Sequence, residues 1–385
     1  MTSPLLVTES RFADLGLAPA ILSSIESAGY TVPTPIQRDA IPLVLRGRDV
    51  IGLAQTGTGK TAAFTLPLLH RLLDGPRRTR ALVLTPTREL CVQVEESVRR
   101  YLHESALDVV SVYGGVGYEA QEKALRAGVD IIVATPGRLL DLCEKGTADL
   151  ELLELLVLDE ADRMLDMGFA PQINRIVARI PAYRQTLLFS ATMPPEVEAL
   201  ARKYLRNPVV VQVGRRSQAA STVTHAVYPV PQPKKTALLV ELLQHEDAQG
   251  SVLVFCRTKH RADRIAESLN DKGIVAEALH GDRTQSAREK ALEQFRSGAV
   301  RILVATDIAQ RGLDISGITH VINYDVPQQA EDYVHRIGRT GRAAATGDAY
   351  TFMAPDEIAI VRQIERVIGQ EIPRVSRPGF DFGSV

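Results

Sequence analysis

Short apolar runs without alternation, each closed by small or polar residues, constrain this chain more than any other feature. They stand at Val50–Ala54, Ala81–Thr85, Val109–Tyr113, Ile131–Thr135, Leu155–Asp159 and Thr186–Ser190. They recur at Ser251–Cys256, Arg301–Thr306, His320–Tyr324 and Ala349–Met353. Runs so short and so uniformly apolar suit strands buried on both faces, as in a parallel sheet. Helical patterns such as Ala62–Leu73, Arg88–Tyr101, Ala262–Lys272 and Gln285–Ser297 lie between them. Strand and helix repeated in this way predict an α/β fold.

The pattern breaks once. Gly214-Arg215-Arg216-Ser217-Gln218-Ala219-Ala220-Ser221 is small and polar, without apolar period. The reading is two tandem α/β domains, 1–213 and 222–370, joined by a hinge at 214–221. A short tail follows at 371–385, after a last helical pattern over Asp356–Ile368 with Gly369 as its stop. At 385 residues the chain has room for both domains. Pro229, Pro231 and Pro233 predict an extended lead into a helix starting near Lys234.

Ala54-Gln55-Thr56-Gly57-Thr58-Gly59-Lys60-Thr61 follows one apolar run and precedes a helical pattern, the setting a phosphate-binding loop requires. Its glycines let backbone N–H groups converge on a β-phosphate. Lys60 reaches the β- and γ-phosphates, the Thr61 hydroxyl faces Mg²⁺, and the helix N-terminus adds partial positive charge. Ala54 departs from the general pattern, which begins with Gly. Leu155–Leu158 then runs into Asp159-Glu160-Ala161-Asp162. Carboxylates at the end of a buried strand need a cation to face. Asp159 is expected to hold Mg²⁺, partly through water, and Glu160 to deprotonate the water that attacks the γ-phosphate.

With these residues the sequence resembles the DEAD-box RNA helicases, over nearly its whole length. Phe12 and Gly29-Tyr30-Thr31-Val32-Pro33-Thr34-Pro35-Ile36-Gln37 are similar to that family's adenine-recognition motif. The amide of Gln37 can both donate to and accept from the adenine edge, and Phe12 or Tyr30 can stack on the ring. Ser190-Ala191-Thr192 matches the coupling motif, whose hydroxyls are expected near Asp162. His335-Arg336-Ile337-Gly338-Arg339-Thr340-Gly341-Arg342 resembles the arginine-finger motif. The resemblance makes Arg339 and Arg342 the fingers on the triphosphate, and has His335 contact the acidic tetrad. Gly312 and Asp314, in Arg311-Gly312-Leu313-Asp314, match the segment that meets the ribose; Gln310 stands where many members have Ala. The implied fold is two tandem RecA-like parallel-sheet domains. Half the ATP site precedes the hinge and half follows it, so hydrolysis is expected to need domain closure.

Pro86, Thr87, Arg88, Gly114, Gly115, Thr135 and Arg138 all follow apolar runs. They fall on the carboxyl edge of the first sheet, where open α/β sheets bind ligands. The second half offers Arg257, Gln285, Arg288 and Thr306. Matched in order to the family motifs, they are the expected RNA contacts. Aromatic residues make up only 5% of the chain and Trp is absent, so contacts should go to phosphate and sugar, with little sequence preference.

Lys+Arg at 45 against Asp+Glu at 46 excludes a binder that works by bulk positive charge. Of the basic residues 36 are Arg, the side chain suited to bidentate phosphate contacts. Cys91, Cys143 and Cys256 show no metal-ligand or disulfide spacing and read as buried small residues. The amino terminus lacks a signal-peptide pattern and no run is long enough for a membrane span, so a cytoplasmic, monomeric protein is expected. The chain ends soon after its last helical pattern, as a minimal enzyme or as a core whose tail has been removed. The function implied is an ATP- and Mg²⁺-dependent RNA helicase that locally separates short duplexes. An ATP-gated clamp that holds single-stranded RNA uses the same residues. A DNA translocase fits Gln37 and the acidic tetrad less well, and a plain phosphate-loop kinase has no need of Arg339 and Arg342.

Overall fold

The computed structural model describes residues 11–55, 57–102, 106–213, 223–244, 250–307, 317–341 and 346–382. The expected hinge at 214–221 and the site residues Thr56, Gly312, Asp314 and Arg342 lie outside them, as does the side chain of Gln285. The chain divides into two compact units, 1–213 and 214–385.

The first unit is built on seven strands: β1 (Val50–Leu53), β2 (Ala81–Leu84), β3 (Val109–Val112), β4 (Ile131–Ala134), β5 (Leu155–Leu158), β6 (Gln185–Ser190) and β7 (Val209–Gln212). All pair in parallel, in the order β3-β4-β2-β5-β6-β1-β7. The uniform apolarity of the runs has a direct cause. Val83, Val157, Leu187 and Phe189 face one buried layer, and Leu82, Leu84, Leu156, Leu158 and Leu188 face another. Each such side chain contributes about 1.5–3 kcal/mol when removed from water.

The second unit repeats the architecture with β8 (Val223–Pro229), β9 (Ser251–Phe255), β10 (Ala276–Leu279), β11 (Ile302–Ala305), β12 (Ile318–Asn323) and β13 (Gly347–Met353). Its parallel order is β10-β11-β9-β12-β13-β8. Val252, Val254, Ile302 and Val304 pack on one face, and Leu253, Phe255, Leu303 and Ala305 on the other. Helices fall close to their patterns, at Lys60–Leu72, Arg88–Tyr101, Lys235–Gln244, Lys259–Asn270, Gln285–Arg296 and Ile358–Ile368. Gly369 ends the last of these in the left-handed region, φ 73°. The three cysteines are buried free thiols. Among the described residues no helix is long and apolar enough to cross a membrane.

The segment read from sequence as a short tail is docked over its described part. Val227 of the edge strand β8 donates to the Pro373 carbonyl at 2.9 Å, and its own carbonyl accepts from Val375 N at 2.8 Å. Ile372 is 2% exposed within the apolar cluster of Val361, Ile364 and Ile368. Phe380 and Phe382 meet each other edge to face and pack against the layer containing Leu238 and Leu242. The segment thereby covers an edge that is otherwise open to pairing. Ile372→Ala should lower the unfolding free energy of the second unit by about 2–4 kcal/mol, measured by urea denaturation; an undocked tail gives no change.

Candidate functional site

Parallel pairing brings the carboxyl ends of β1, β5 and β6 to one level of the first sheet. The ladder continues one residue past the strands: Ala54 N donates to Ser190 O at 3.1 Å, and Asp159 N to Leu84 O at 2.9 Å. The phosphate-loop sequence, the acidic tetrad and Ser190–Thr192 are therefore neighbours by construction.

Within the loop, Gly59 has φ +90° and caps the helix beginning at Lys60. A Cβ there would collide with Gln37 Nε2, which donates to the Gly59 carbonyl at 3.1 Å. Gln37 Oε1 accepts from Thr34 N at 2.9 Å, closing a capping box on the helix Pro35–Leu45. The amide expected at the adenine thus also ties the adenine-motif helix to the phosphate loop. Thr58 Oγ1 donates to the Gln55 carbonyl at 2.7 Å. Tyr30 is 44% exposed, whereas Phe12 is buried in the core beside Leu15 and Ile41. Lys60 is 6% exposed, and its Nζ has no hydrogen-bond partner among the described residues.

Asp159, Glu160 and Asp162 are all buried. Burial pushes the Asp159 carboxyl up to about 7, against the pull of the Lys60 ammonium, with the charge of Glu160 adding to the rise. Glu160 sits at φ 51°, a left-handed conformation uncommon for a residue with a side chain, at the cap of the helix Ala161–Asp166. Its Oε2 accepts from Arg163 Nη1 at 3.0 Å, and both side chains are about 5% exposed or less. Asp162 Oδ2 accepts from both Thr192 N (2.9 Å) and Thr192 Oγ1 (2.8 Å), while Asp162 N donates to Ser190 Oγ at 3.3 Å. The tetrad and the hydroxyl motif form one hydrogen-bonded unit.

The remaining first-unit positions lie along the same edge. Thr87 caps the helix Arg88–Tyr101, its Oγ1 accepting from Leu90 N; Pro86 before it is buried. The Arg88 guanidinium occupies the space a Cβ on Gly115 would need, so that glycine, φ +84°, permits a close approach. Gly114 is half-buried, and Thr135 stands at the N-terminal boundary of the helix Pro136–Glu144 without a side-chain capping bond. Arg138 is 8% exposed; it donates to Val116 O at 2.8 Å and Gly117 O at 3.5 Å and stacks on the Tyr118 ring. It braces the 114–118 loop from within.

In the second unit, Arg257 follows β9 with its side chain 45% exposed. Its N–H donates to Asp325 Oδ2 at 2.8 Å and its Nη2 to Glu357 Oε1 at 3.3 Å. Glu357 also binds Lys235, which is fully buried, at 2.7 Å. Thr306 follows β11 and Arg288 lies on the helix Gln285–Arg296 after β10. Arg339 is 3% exposed, and His335 stands 4.0 Å from Asp332. Arg336 makes a bidentate pair with Asp307 (2.6 and 2.7 Å) and also donates to Asn323 Oδ1 and Asp325 O. Arg163, Asp307, Asp325 and Glu357 escaped the sequence reading. For Arg163 a signal existed: a cation three residues after an acid, on a helix whose other near face is apolar.

Phosphate loop, acidic strand end and hydroxyl motif on a parallel sheet, with a second sheet of the same kind, define a nucleotide-dependent core with two RecA-like domains. Residues 34–200 match the DEAD/DEAH box helicase family and residues 234–344 the helicase conserved C-terminal domain. The chain is 45% identical over 370 residues to the DEAD-box ATP-dependent RNA helicase CshA of Geobacillus kaustophilus, covering 96% of this chain and 79% of that protein. It is 44% identical to CshA of Bacillus subtilis, over 96% of this chain and 75% of that one. Among solved structures it is similar to S. cerevisiae Dbp5 bound to RNA and ADP BeF3, with TM-score 0.86 and 32% identity, over 94% of this chain and 95% of that one. The chain belongs to the DEAD-box ATP-dependent RNA helicases.

The Arg163–Glu160 pair generates a prediction of its own. Arg163→Met leaves the Glu160 carboxylate buried without its cation and should cost about 3–5 kcal/mol of stability in the first unit, read by chemical denaturation. Arg163→Lys should recover most of that loss.

Proposed function

We propose that the chain is an RNA-dependent ATPase that grips RNA by its sugar–phosphate backbone and uses ATP binding and hydrolysis to separate short duplexes locally. The observation that carries this reading is Lys60: a buried ammonium with no hydrogen-bond partner among the described residues, at the mouth of a loop shaped for phosphate. A donor so placed costs free energy unless a ligand supplies the anion.

Lys60 holds the β- and γ-phosphates, and Gln37 with Tyr30 orients the adenine. Thr61 and Asp159 fit a magnesium ion, since an oxygen donor and a buried carboxylate facing a cation are the ligands that ion takes. An ion held there would supply positive charge against the charge that develops during phosphoryl transfer. Glu160 accepts the proton of the attacking water as the γ-phosphoryl bond to ADP breaks, and Arg163 holds the accepting carboxylate in place. Asp162, Ser190 and Thr192 link the acid that does this work to the following segment. Arg339, joined by Arg342, stabilises the transferring phosphoryl group, so ATP and RNA, each engaging residues of both units, bind with positive coupling. Arg88, Thr87, Gly115 and Thr135 of the first unit, and Arg257, Arg288 and Thr306 of the second, meet the RNA backbone.

ATP hydrolysis should be low alone, stimulated by RNA and much less by DNA of the same sequence. Lys60→Ala should abolish it with a large loss of nucleotide affinity. Glu160→Gln should retain ATP binding, lose hydrolysis and hold RNA in ATP for longer than wild type. Release of RNA as fast as wild type by Glu160→Gln would remove Glu160 as the base.

A pH dependence follows from Asp159. Its folded carboxyl titrates near about 7 rather than in the usual carboxylate range. The ligand-free protein therefore holds a proton there below that pH, and gains stability as the pH falls through it. Binding magnesium and nucleotide must displace that proton. Nucleotide affinity in Mg²⁺ should fall by up to about tenfold per pH unit below about 7 and level off above it. Asp159→Asn should flatten the profile, measured by fluorescent-nucleotide titration.

A further inference from the structure

The opposite, amino-terminal edge of the first sheet carries a feature that this chemistry does not use. Tyr183, just before β6, is 89% exposed, the most exposed large apolar side chain among the described residues. The Arg206 guanidinium lies 5.7 Å from its ring centre and is held there by a 2.6 Å bond from Nη2 to the Ala182 carbonyl. Arg48, just before β1, donates to the Asn207 carbonyl at 3.2 Å, which sets it beside Arg206. Arg184 donates to Pro181 O at 2.8 Å, and burial and the nearby Arg206 charge lower its pKa. The carboxylate among them, Asp49, is 6% exposed and already accepts from Thr186 N and Arg206 N at 2.8 and 2.6 Å. Three cations thus face one inward-turned anion, in a chain whose net charge is −1.

We propose that Tyr183, with Arg48, Arg184 and Arg206, forms a second binding site for single-stranded RNA, in which a base stacks on the Tyr183 ring and the arginines pair with the flanking phosphates. Each component has its role. A planar ring open to solvent gives a sequence-tolerant stacking platform, worth about 1–3 kcal/mol per base. Guanidinium groups held by main-chain carbonyls are pre-oriented for phosphate, which reduces the entropy lost on binding. An acidic peptide would use the cations but leave the ring without a partner. The site is separate from the one described above: β1 alone spans four residues, so roughly 13 Å of sheet divides the two edges. A strand engaged at both gains by effective concentration. This reading rests on the chain being an RNA-dependent ATPase.

The absence of Trp from the sequence makes the test direct. Tyr183→Trp in the full chain introduces one indole at the proposed platform, on an exposed position. It is titrated with an oligouridylate of about 8 nucleotides and with one about four times longer. The expected result is saturable quenching of the indole by the long strand, which binds on the order of tenfold more tightly than the short one. Arg48→Glu/Arg206→Glu in that background should remove both the quenching and the length advantage. RNA-stimulated ATP hydrolysis with the short strand should stay as in the parent. Hydrolysis stimulated by RNA without any quenching would overturn the site while leaving the helicase reading intact. So would quenching or a length advantage indifferent to charge reversal, or quenching by polyglutamate and not by RNA. Absence of RNA stimulation with every strand would overturn the helicase reading, and the site with it.

Discussion

Main-chain hydrogen bonds that run one residue past the strands of the first sheet are the constraint on which the site depends. Ala54 to Ser190 and Asp159 to Leu84 extend the parallel ladder into the segments that carry chemistry. A parallel sheet ends all its strands on one side, so phosphate loop, acidic tetrad and hydroxyl motif reach the same edge without any of them being adjacent in sequence. Shifting β5 by one residue against β6 would turn Leu156 and Leu158 out of their apolar layer, so the register is held by burial on both faces. The packing of the core and the geometry of catalysis are here one and the same constraint.

The charges at that edge are arranged in the same economical way. Three buried carboxylates are crowded into four residues, and each has a different partner. Asp159 faces Lys60, Glu160 is paired with Arg163, and Asp162 accepts two bonds from Thr192. The partners set the three apart. Asp159 faces the Lys60 ammonium and accepts one main-chain bond, from Glu160 N at 3.0 Å. Glu160 is clamped by a buried arginine, and Asp162 is bonded to main chain and hydroxyl. Identical functional groups thus meet different surroundings, although within the sequence they are almost contiguous.

Most of the first sheet was legible because its strands are buried on both faces and so read as uninterrupted apolar runs. The strands that the sequence hid are β7, β8 and β10. Val210 in β7 is exposed, β8 has the polar pair Thr224-His225 near its start and ends on Pro229, and β10 is a four-residue stretch holding Glu277. All three are edge strands, β7 of the first sheet and β8 and β10 of the second, where burial on both faces no longer holds along the whole strand. The motif residues were legible because their spacing survives in one dimension. What closes on them from elsewhere was not: Glu357 is a hundred residues beyond Arg257, and Asp307 twenty-nine before Arg336.

Arginine shows where composition misleads. An arginine-rich chain suggests phosphate contacts, yet many of these guanidinium groups bind the protein itself. Arg336 is 2% exposed on Asp307, Asn323 and the Asp325 carbonyl. Arg80 is buried on Leu72 O and Asp130, and Arg138 braces the loop it was expected to reach beyond. A rigid fork of five donors can close several main-chain carbonyls at once, which a lysine ammonium cannot match in a fixed plane. The arginines that hold the strand-end loops in place are therefore spent as structure. Arg206 and Arg48 differ from these: a main-chain carbonyl fixes each side chain while the residue itself stays at the surface. Exposure with anchorage, rather than arginine content, marks where nucleic acid can be gripped.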